Sequence, residues 1–457
     1  MSIDALPRIS EQSPGVTVSR RSPIKVIPAL VRDPLRALPP EIYREPLVYS
    51  RVAGRERILL SDPALIHEAL VRNADALSKG EDVRRALGPA LGQGLLTADG
   101  AHWRWQRQSV APAFRHEKLV GLLPAMIAAA ERTRDRWLSA EPGAAVRIGH
   151  EMMRTTFDII VDTMMSGPGG IDVAQVEKGI TDYLKPTGWI FALSLLSAPE
   201  WLPYPGRGRA RSAALYLRSE ITRMIAERRA SHDEREDLVS LLLAASDPET
   251  GRTMTDEEIA DNLLTFMTAG HETTALGLAW TLLLLARHSE HEEKVVAEIK
   301  EVTGGGPVRP EHIARLAYTR QVFSEAMRLY PPAPIITRTA VRSFPLQGFT
   351  VPAGAVIVVP IHAVHHHTAL WEDPERFDPG RFLTEQVKGR HRYAYMPFGA
   401  GPRVCIGSAF ATMEAVAILA VLLQSVRLHS QAGSMPAPLM RVTLRPRQDP
   451  ELLVERR

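Results

Sequence analysis

A single cysteine, Cys405, serves all 457 residues. No internal disulfide is possible, so the fold is held by its core and by whatever it binds. Charge of one sign is equally scarce. The formal net charge is +3 with 23% charged residues, and the clustered basic stripes of a nucleic-acid binder are missing. Long apolar runs are missing too. The longest, ALGLAWTLLLLA at residues 275–286, falls short of the roughly 20 residues that span a bilayer. The opening residues, MSIDALPRISEQSPGV, lack the apolar stretch of a secretion signal. These absences argue against a disulfide-stapled secreted domain, a nucleic-acid partner and a membrane anchor. The expectation is a cytoplasmic protein.

No low-complexity linker or short repeat divides the chain, and 45% hydrophobic residues supply a large core. The patterning predicts one domain over residues 51–457, mainly α with a small β portion, after an irregular, proline-rich segment at 1–50. The clearest helix opens at TDEEIADNLLTFMTAGHETTALGLAWTLLLLARH, residues 255–288. Thr255 and Glu258 have capping-box spacing, and Asp256, Glu257 and Glu258 suit a helix N-terminus. At 1.5 Å per residue the run is roughly 45–50 Å long. A helix so long and apolar crosses the centre of a domain. Its middle nevertheless holds Ala269-Gly270-His271-Glu272-Thr273-Thr274, where packing alone favours leucine. Glycine and threonine are expected to weaken or bend the helix there.

A second helix, IARLAYTRQVFSEAMRLY, is stopped by Pro331-Pro332. Glu325 and Arg328 lie three apart on one of its faces. The alternating FPLQGFTVPAGAVIVVPI then reads as short β structure. WEDPERFDPGRF, residues 371–382, is an aromatic coil expected to be packed down. Its central Arg376 then needs an anionic partner, and Glu325 is the candidate.

Cys405 itself lies in FGAGPRVCIGSAF, residues 398–410. Three readings compete: a buried structural thiol, a nucleophile, and a thiolate ligand to haem iron. A nucleophile needs a histidine base, and none is near in sequence. Gly399, Gly401 and Gly407 permit unusual backbone angles and close approach to a flat partner. Amides at the start of the following helix favour a thiolate.

The run Phe398-x-x-Gly401-x-Arg403-x-Cys405-x-Gly407 resembles the haem-binding signature of the cytochrome P450 superfamily. Four more stretches match family motifs in the family's order. Trp103-Arg104-Trp105-Gln106-Arg107 resembles the tryptophan-x-x-x-arginine helix, and Ala269-Gly270-His271-Glu272-Thr273-Thr274 the oxygen-activating segment. Glu325-Ala326-Met327-Arg328 resembles the Glu-x-x-Arg motif, and Pro374-Glu375-Arg376-Phe377 the segment that completes its ion-pair network.

The resemblance implies the cytochrome P450 fold, with haem b (iron protoporphyrin IX) between the long central helix and the helix after the cysteine loop. Cys405 is then the axial iron ligand and Phe398 packs against its loop. Thr273 and Glu272 are implied to deliver protons during oxygen activation. Arg107, Arg338 and Arg403 are implied partners of the propionates, with Trp103 beside them and Arg342 as the substitute for Arg338. Glu325, Arg328 and Arg376 are implied to be structural. Implied pocket walls are Leu96, Phe266, Ala269, Ile335 and Ile336, all apolar, so a hydrophobic substrate is expected. Residues 188–209 are either a mobile lid or ordinary helix packing. His362, His365, His366 and His367 are expected to cap or to be solvated rather than to bind metal.

With one haem domain filling the chain, electrons are expected from a separate ferredoxin or flavodoxin with its reductase. Arg104, Arg115 and Lys118 are candidates for its docking face. The implied activity is O₂-dependent monooxygenation. The alternatives are a peroxide-driven peroxygenase and a haem sensor or carrier without turnover.

Overall fold

The computed structural model describes residues 6–141, 143–165, 172–231, 237–246, 250–431 and 433–457. Residues 1–5 of the N-terminal segment fall outside these ranges. The elements that place the site are nine helices. They are α1 (Pro23–Arg32), α2 (Gly100–Val110), α3 (His116–Ser139), α4 (Ile148–Met164), α5 (Thr187–Leu195), α6 (Arg207–Ser231), α7 (Asp256–Leu285), α8 (Ala317–Leu329) and α9 (Ser408–Ser425). Most helices pack into one core, and a mixed sheet builds a second core at its side.

That sheet has the strands β1 (Thr17–Ser19), β2 (Leu47–Val52), β3 (Arg55–Leu60), β4 (Leu77–Ser78), β5 (Ile336–Ala340) and β6 (Val356–Val359), in the order β1-β2-β3-β6-β5-β4. Its register sets Thr17 beside Val48, Ile58 beside Ile357 and Arg338 beside Ile357. Of the segment 1–50, the described residues 6–50 are therefore not the irregular leader expected from their prolines. They supply β1, α1 and the start of β2. Ser22 caps α1, whose first turn begins with Pro23, where a missing N–H costs nothing. α1 then crosses α5 closely at Gly188, where a Cβ would stand 2.8 Å from the Val31 oxygen.

α7 is the long central helix. Its capping box forms as expected: Glu258 N–H donates to Thr255 Oγ1 (3.2 Å) and Thr255 N–H to Glu258 Oε2 (3.0 Å). Its C-terminal half buries Leu276, Leu278 and Leu282–Leu285, at about 1.5–3 kcal/mol for each leucine. α9 is the one helix among the described residues long and apolar enough to cross a membrane. It lies buried in the helical core instead. A short hairpin near the C-terminus, β7 (Pro438–Met440) and β8 (Leu444–Pro446), reaches back to α7. There the Trp280 indole N–H donates to the Leu444 carbonyl (3.4 Å).

Candidate active site

α7 is helical without interruption from Asp256 to Leu285, so the polar middle does not break the helix as its glycine and threonines suggested it could. The Thr273 hydroxyl donates to Ala269 O (2.7 Å), and Thr156 of α4 donates to His271 O (2.9 Å). Both share carbonyls that a regular helix keeps for its own ladder. Exposure is the sharper signal. Between Ile259 and Leu285 every residue is buried except Thr268, Ala269, Gly270 and Thr273. The stretch from Ile259 to Leu285, otherwise buried, thus opens one window, at the segment the sequence singled out.

Cys405 is presented by a tightly specified loop. Its N–H donates to Phe398 O (2.9 Å), which closes residues 398–405 into a turn before α9. Gly399 and Gly401 have φ of +80° and +71°, a conformation that glycine adopts without strain. A Cβ on Gly401 would also overlap the Leu70 carbonyl oxygen. Gly407 differs from expectation, with an ordinary negative φ of −87°. A Cβ there would meet only Phe114, at 3.7 Å, an ordinary contact, so neither backbone angle nor crowding within the chain requires glycine at this position. The thiol is exposed by surface area, yet burial pushes its pKa up, against the Gly407 N–H and the Arg107 guanidinium. The two facts agree if Cys405 faces an internal cleft rather than bulk solvent.

Around the loop, cations outnumber anions. Arg403 donates to Ala98 O (2.7 Å) and pairs with Asp99 (2.5 Å), and its guanidinium stacks 4.1 Å over the Trp103 ring. Arg107 donates to Val404 O (2.8 Å). Arg338 is buried and drawn down to about 10, first by burial and then by Arg403. Lys79, which sequence reasoning missed, is pushed well down by burial and by the same two arginines. Asp99 is the one carboxylate among the described residues that acts on Lys79, Arg338 and Arg403. Such a surplus is costly unless an anionic group joins it. Arg342 pairs instead with exposed Asp75 (2.5 Å), so Arg338 and not its neighbour belongs to the cluster.

These features fit a haem: an accessible thiol in a glycine loop, a helix window, and surplus cations suited to two propionates. Leu96, Ala269, Ile335 and Ile336 are each half-buried. Phe266 is a correction. It is buried, and its ring packs on Phe114 (5.6 Å between centroids), the side chain that a Cβ on Gly407 would meet. It supports the cysteine loop and forms no accessible wall. Glu272 is buried as well and is held by Arg445, with Thr443 donating to it at 2.5 Å. Its carboxylate is thus occupied by the β7–β8 hairpin and does not line the window.

The ion-pair network brings a second correction. Arg328 and Glu325 are fully buried and bidentate, at 2.7 and 2.8 Å. Arg328 also donates to the carbonyls of His365 (2.8 Å), Pro374 (2.7 Å) and Arg376 (3.1 Å). Only the backbone of Arg376 takes part, since its side chain is exposed. The third charged member is Arg381, 3.5 Å from Glu325, and the Asp378 N–H adds a bond of 2.9 Å. The sequence contains Pro-x-Arg-Phe twice, five residues apart, and the second copy holds the arginine that reaches the acid.

The histidines are not solvated. His365, His366 and His367 are buried, and His362 stacks on His366 (4.1 Å). His365 is a strut: its Nδ1 lies 3.2 Å from Arg328 O and its Nε2 accepts the Met396 N–H (3.0 Å). Burial pushes it well below its ordinary pKa, which suits the neutral acceptor. No cluster of metal-binding side chains occurs among the described residues. In the 188–209 segment, Arg85 ties the turn after α5 by donating to Ala198 O (2.6 Å) and Pro199 O (3.1 Å), while Trp201 is 71% exposed.

Comparison with known proteins agrees with this geometry. The cytochrome P450 family model matches residues 41–454. The cyclooctatin synthase of Streptomyces melanosporofaciens is 35% identical, over 91% of each chain. Its cyclooctat-9-en-7-ol 5-monooxygenase is 36% identical, over 89% of this chain and 87% of that one. The pentalenene oxygenase of Streptomyces avermitilis is 31% identical, over 91% of each chain. Among solved structures, the cytochrome P450DA heme domain superposes with a TM-score of 0.84 at 27% identity, over 96% of this chain and 98% of that one. The family model spans most of the chain and the relatives named as monooxygenases align over nearly all of it, so the chain is a haem-dependent monooxygenase and belongs to the cytochrome P450 family.

Proposed function

We propose that this chain inserts one oxygen atom of O₂ into an alicyclic terpenoid, a hydrocarbon or its alcohol, using haem b and electrons from a separate ferredoxin or flavodoxin. The observation that carries this reading is the window at Thr268–Gly270 and Thr273 on an otherwise buried helix. The half-buried apolar walls suit a hydrophobic guest, and the relatives' names include an unsaturated alicyclic alcohol and a hydrocarbon. A screen of such compounds for displacement to the high-spin absorption is expected to give binders among alicyclic alkenes and alcohols. Binding confined to linear fatty acids would overturn the substrate class. The cytoplasm, where a lone thiol stays reduced, is the compartment that suits such a protein.

Haem bound by a thiolate supplies reductive activation of dioxygen, the sulfur donating electron density that favours O–O cleavage. The chain's part is to hold and protonate. Arg107, Arg338, Arg403 and Lys79 would hold the two propionates, beside Trp103. Phe398 and Gly407 direct an acceptor and a donor at the Cys405 residue. Thr273 places a hydroxyl in the window, so it is the proton donor or relay nearest the chemistry. Glu272 serves as a relay only when Arg445 and Thr443 release it.

Thr273→Ala separates this reading from its rivals. Product formed per reductant consumed should fall by roughly a hundredfold, with electrons diverted to hydrogen peroxide. The red-displaced absorption of the reduced carbon monoxide complex should persist. A peroxygenase or a sensor would be unaffected by the substitution. For the redox partner, Arg104 is exposed on α2 and Arg115 is exposed just before α3. Arg104→Glu with Arg115→Glu is expected to slow electron transfer from an acidic donor roughly tenfold at low salt. Unchanged stopped-flow rates would move the docking face elsewhere.

A further inference from the structure

We propose that Arg218 of α6 is a positioning residue that latches the active-site window: bonded to Asp261 of α7, it holds the loop at residues 92–97 closed, and its release admits a bulky guest. The proposal rests on haem in the site, and not on the substrate class or on turnover.

The loop follows the helix at Glu81–Leu91, precedes α2, and carries the half-buried Leu96. It lies directly on α7. A Cβ on Gly92 would overlap the Asp261 carboxylate, and one on Gly94 the Asp261 carbonyl oxygen and the Thr265 hydroxyl. Thr265 is three residues before Thr268, where the window begins. The crossing is therefore the window's N-terminal edge. Thr97 closes the loop on itself by donating to Gly92 O (2.8 Å), so the loop shifts as one body.

Two adjacent residues of α7 hold it, by different chemistry. Asn262 is neutral and fully buried. It accepts the Leu95 N–H (3.1 Å) and donates to Gln106 of α2 (2.9 Å), which donates to Gln93 O (2.7 Å). A buried, satisfied network of this kind is the fixed side of the loop. Asp261 is buried too, and accepts the Gln93 N–H (2.7 Å), but a buried carboxylate also needs a cation. Arg218 supplies it, donating to Asp261 (2.7 Å) and to Ala90 O (3.1 Å), beside the start of the loop. Arg218 itself is only half-buried, and the exposed Glu257 lies 3.6 Å from it. The guanidinium thus has a second anion to hold when it leaves Asp261, which gives one side chain two arrangements. α6 follows the segment 188–209, and Arg85 ties that segment to the helix before the loop. Movement of that segment and release of the loop are therefore joined through Arg218.

Stopped-flow binding of two azoles to the oxidised holoprotein tests the latch. Both ligate haem iron, but 4-phenylimidazole needs the loop to lift and imidazole is small enough to pass it. Asp261→Asn keeps an oxygen for the Gln93 N–H and loses the ion pair; Arg218→Met keeps the apolar stem and loses the charge. In each, 4-phenylimidazole should associate roughly tenfold faster, the scale of one charge-assisted bond removed from the closed state. Imidazole should stay within about twofold of wild type. The double variant should be no faster than either single, because both break the same bond. Arg218→Lys, without the fork that serves Asp261 and Ala90 together, should fall between. A role in stability alone would move both azoles alike or neither. Equal acceleration of the two azoles, or wild-type 4-phenylimidazole rates in both single variants, overturns the proposal. If Arg218→Met does not retain haem, Asp261→Asn alone decides. Azole binding requires no turnover, so a wild type that forms no product from O₂ and reductant refutes the monooxygenase reading, while these rates still decide the latch.

Discussion

Cys405→Ser is expected to abolish oxygen insertion while leaving the chain folded. Serine has nearly the size of cysteine, and the bond that shapes the loop, Cys405 N–H to Phe398 O, belongs to the backbone. What disappears is the sulfur. A hydroxyl gives up its proton far less readily and donates less electron density, so the electron push that favours O–O cleavage is removed. Turnover should drop by roughly a thousandfold or more, equivalent to about 4 kcal/mol of activation free energy. The reduced carbon monoxide complex should lose the red-displaced band peculiar to sulfur-bound haem. Cys405→His is the informative companion. It should retain haem and bind O₂ without inserting it, because histidine is a weaker donor. Thermal unfolding of both variants should stay close to wild type, since the side chain faces a cleft and is not packed core. Undiminished turnover in a fully loaded Cys405→Ser protein is the result that removes the thiolate from the account.

The parts of this site that were legible in the sequence are those fixed by local chemistry. The capping box at Thr255 and Glu258 depends on residues three apart and formed as read; in the cysteine turn Gly399 and Gly401 took the positive φ expected of them, and Gly407 did not. The windowed segment of α7 was visible because glycine and threonine interrupt an apolar helix. What the sequence hid depends on distant segments meeting. Lys79 is an ordinary lysine in a loop until β4 and β5 pair and bring it beside Arg338. Glu272 read as a free relay because the hairpin that occupies it lies some 170 residues later. Phe266 read as a wall because its helix face is set by packing against Phe114, which no local pattern encodes. Residues 1–50 were misjudged for a related reason. Prolines discourage regular structure locally, but Pro23 starts a helix and β1 is stabilised by its partner strand.

Arg328→Ala is expected to be the most destabilising single change in the ion-pair network. The Arg328–Glu325 pair is fully buried, so removing the arginine leaves a carboxylate without its bidentate partner and three carbonyls without a donor. Breaking a buried pair from one side typically costs about 3–5 kcal/mol, a large share of the roughly 5–15 kcal/mol that holds a domain together. The carbonyls of Pro374 and Arg376 belong to the coil that leads to the cysteine loop, so haem retention should fall together with stability. Arg328→Lys tests the geometry. It restores the charge but lacks the planar fork that serves Glu325 and three carbonyls at once, so rescue should be partial. The neighbouring arginines then distinguish the two Pro-x-Arg-Phe copies. Arg376→Ala removes an exposed side chain and should stay within about 0.5 kcal/mol of wild type. Arg381→Ala takes a cation from a buried carboxylate and should cost about 1–2 kcal/mol, by the usual scale for a charged partner of a buried group. Denaturant melts of the three alanine variants, with haem content measured alongside, should rank Arg328 well above Arg381 and Arg381 above Arg376. The reverse order for the last two would return the third place in the network to Arg376, and with it the first Pro-x-Arg-Phe motif.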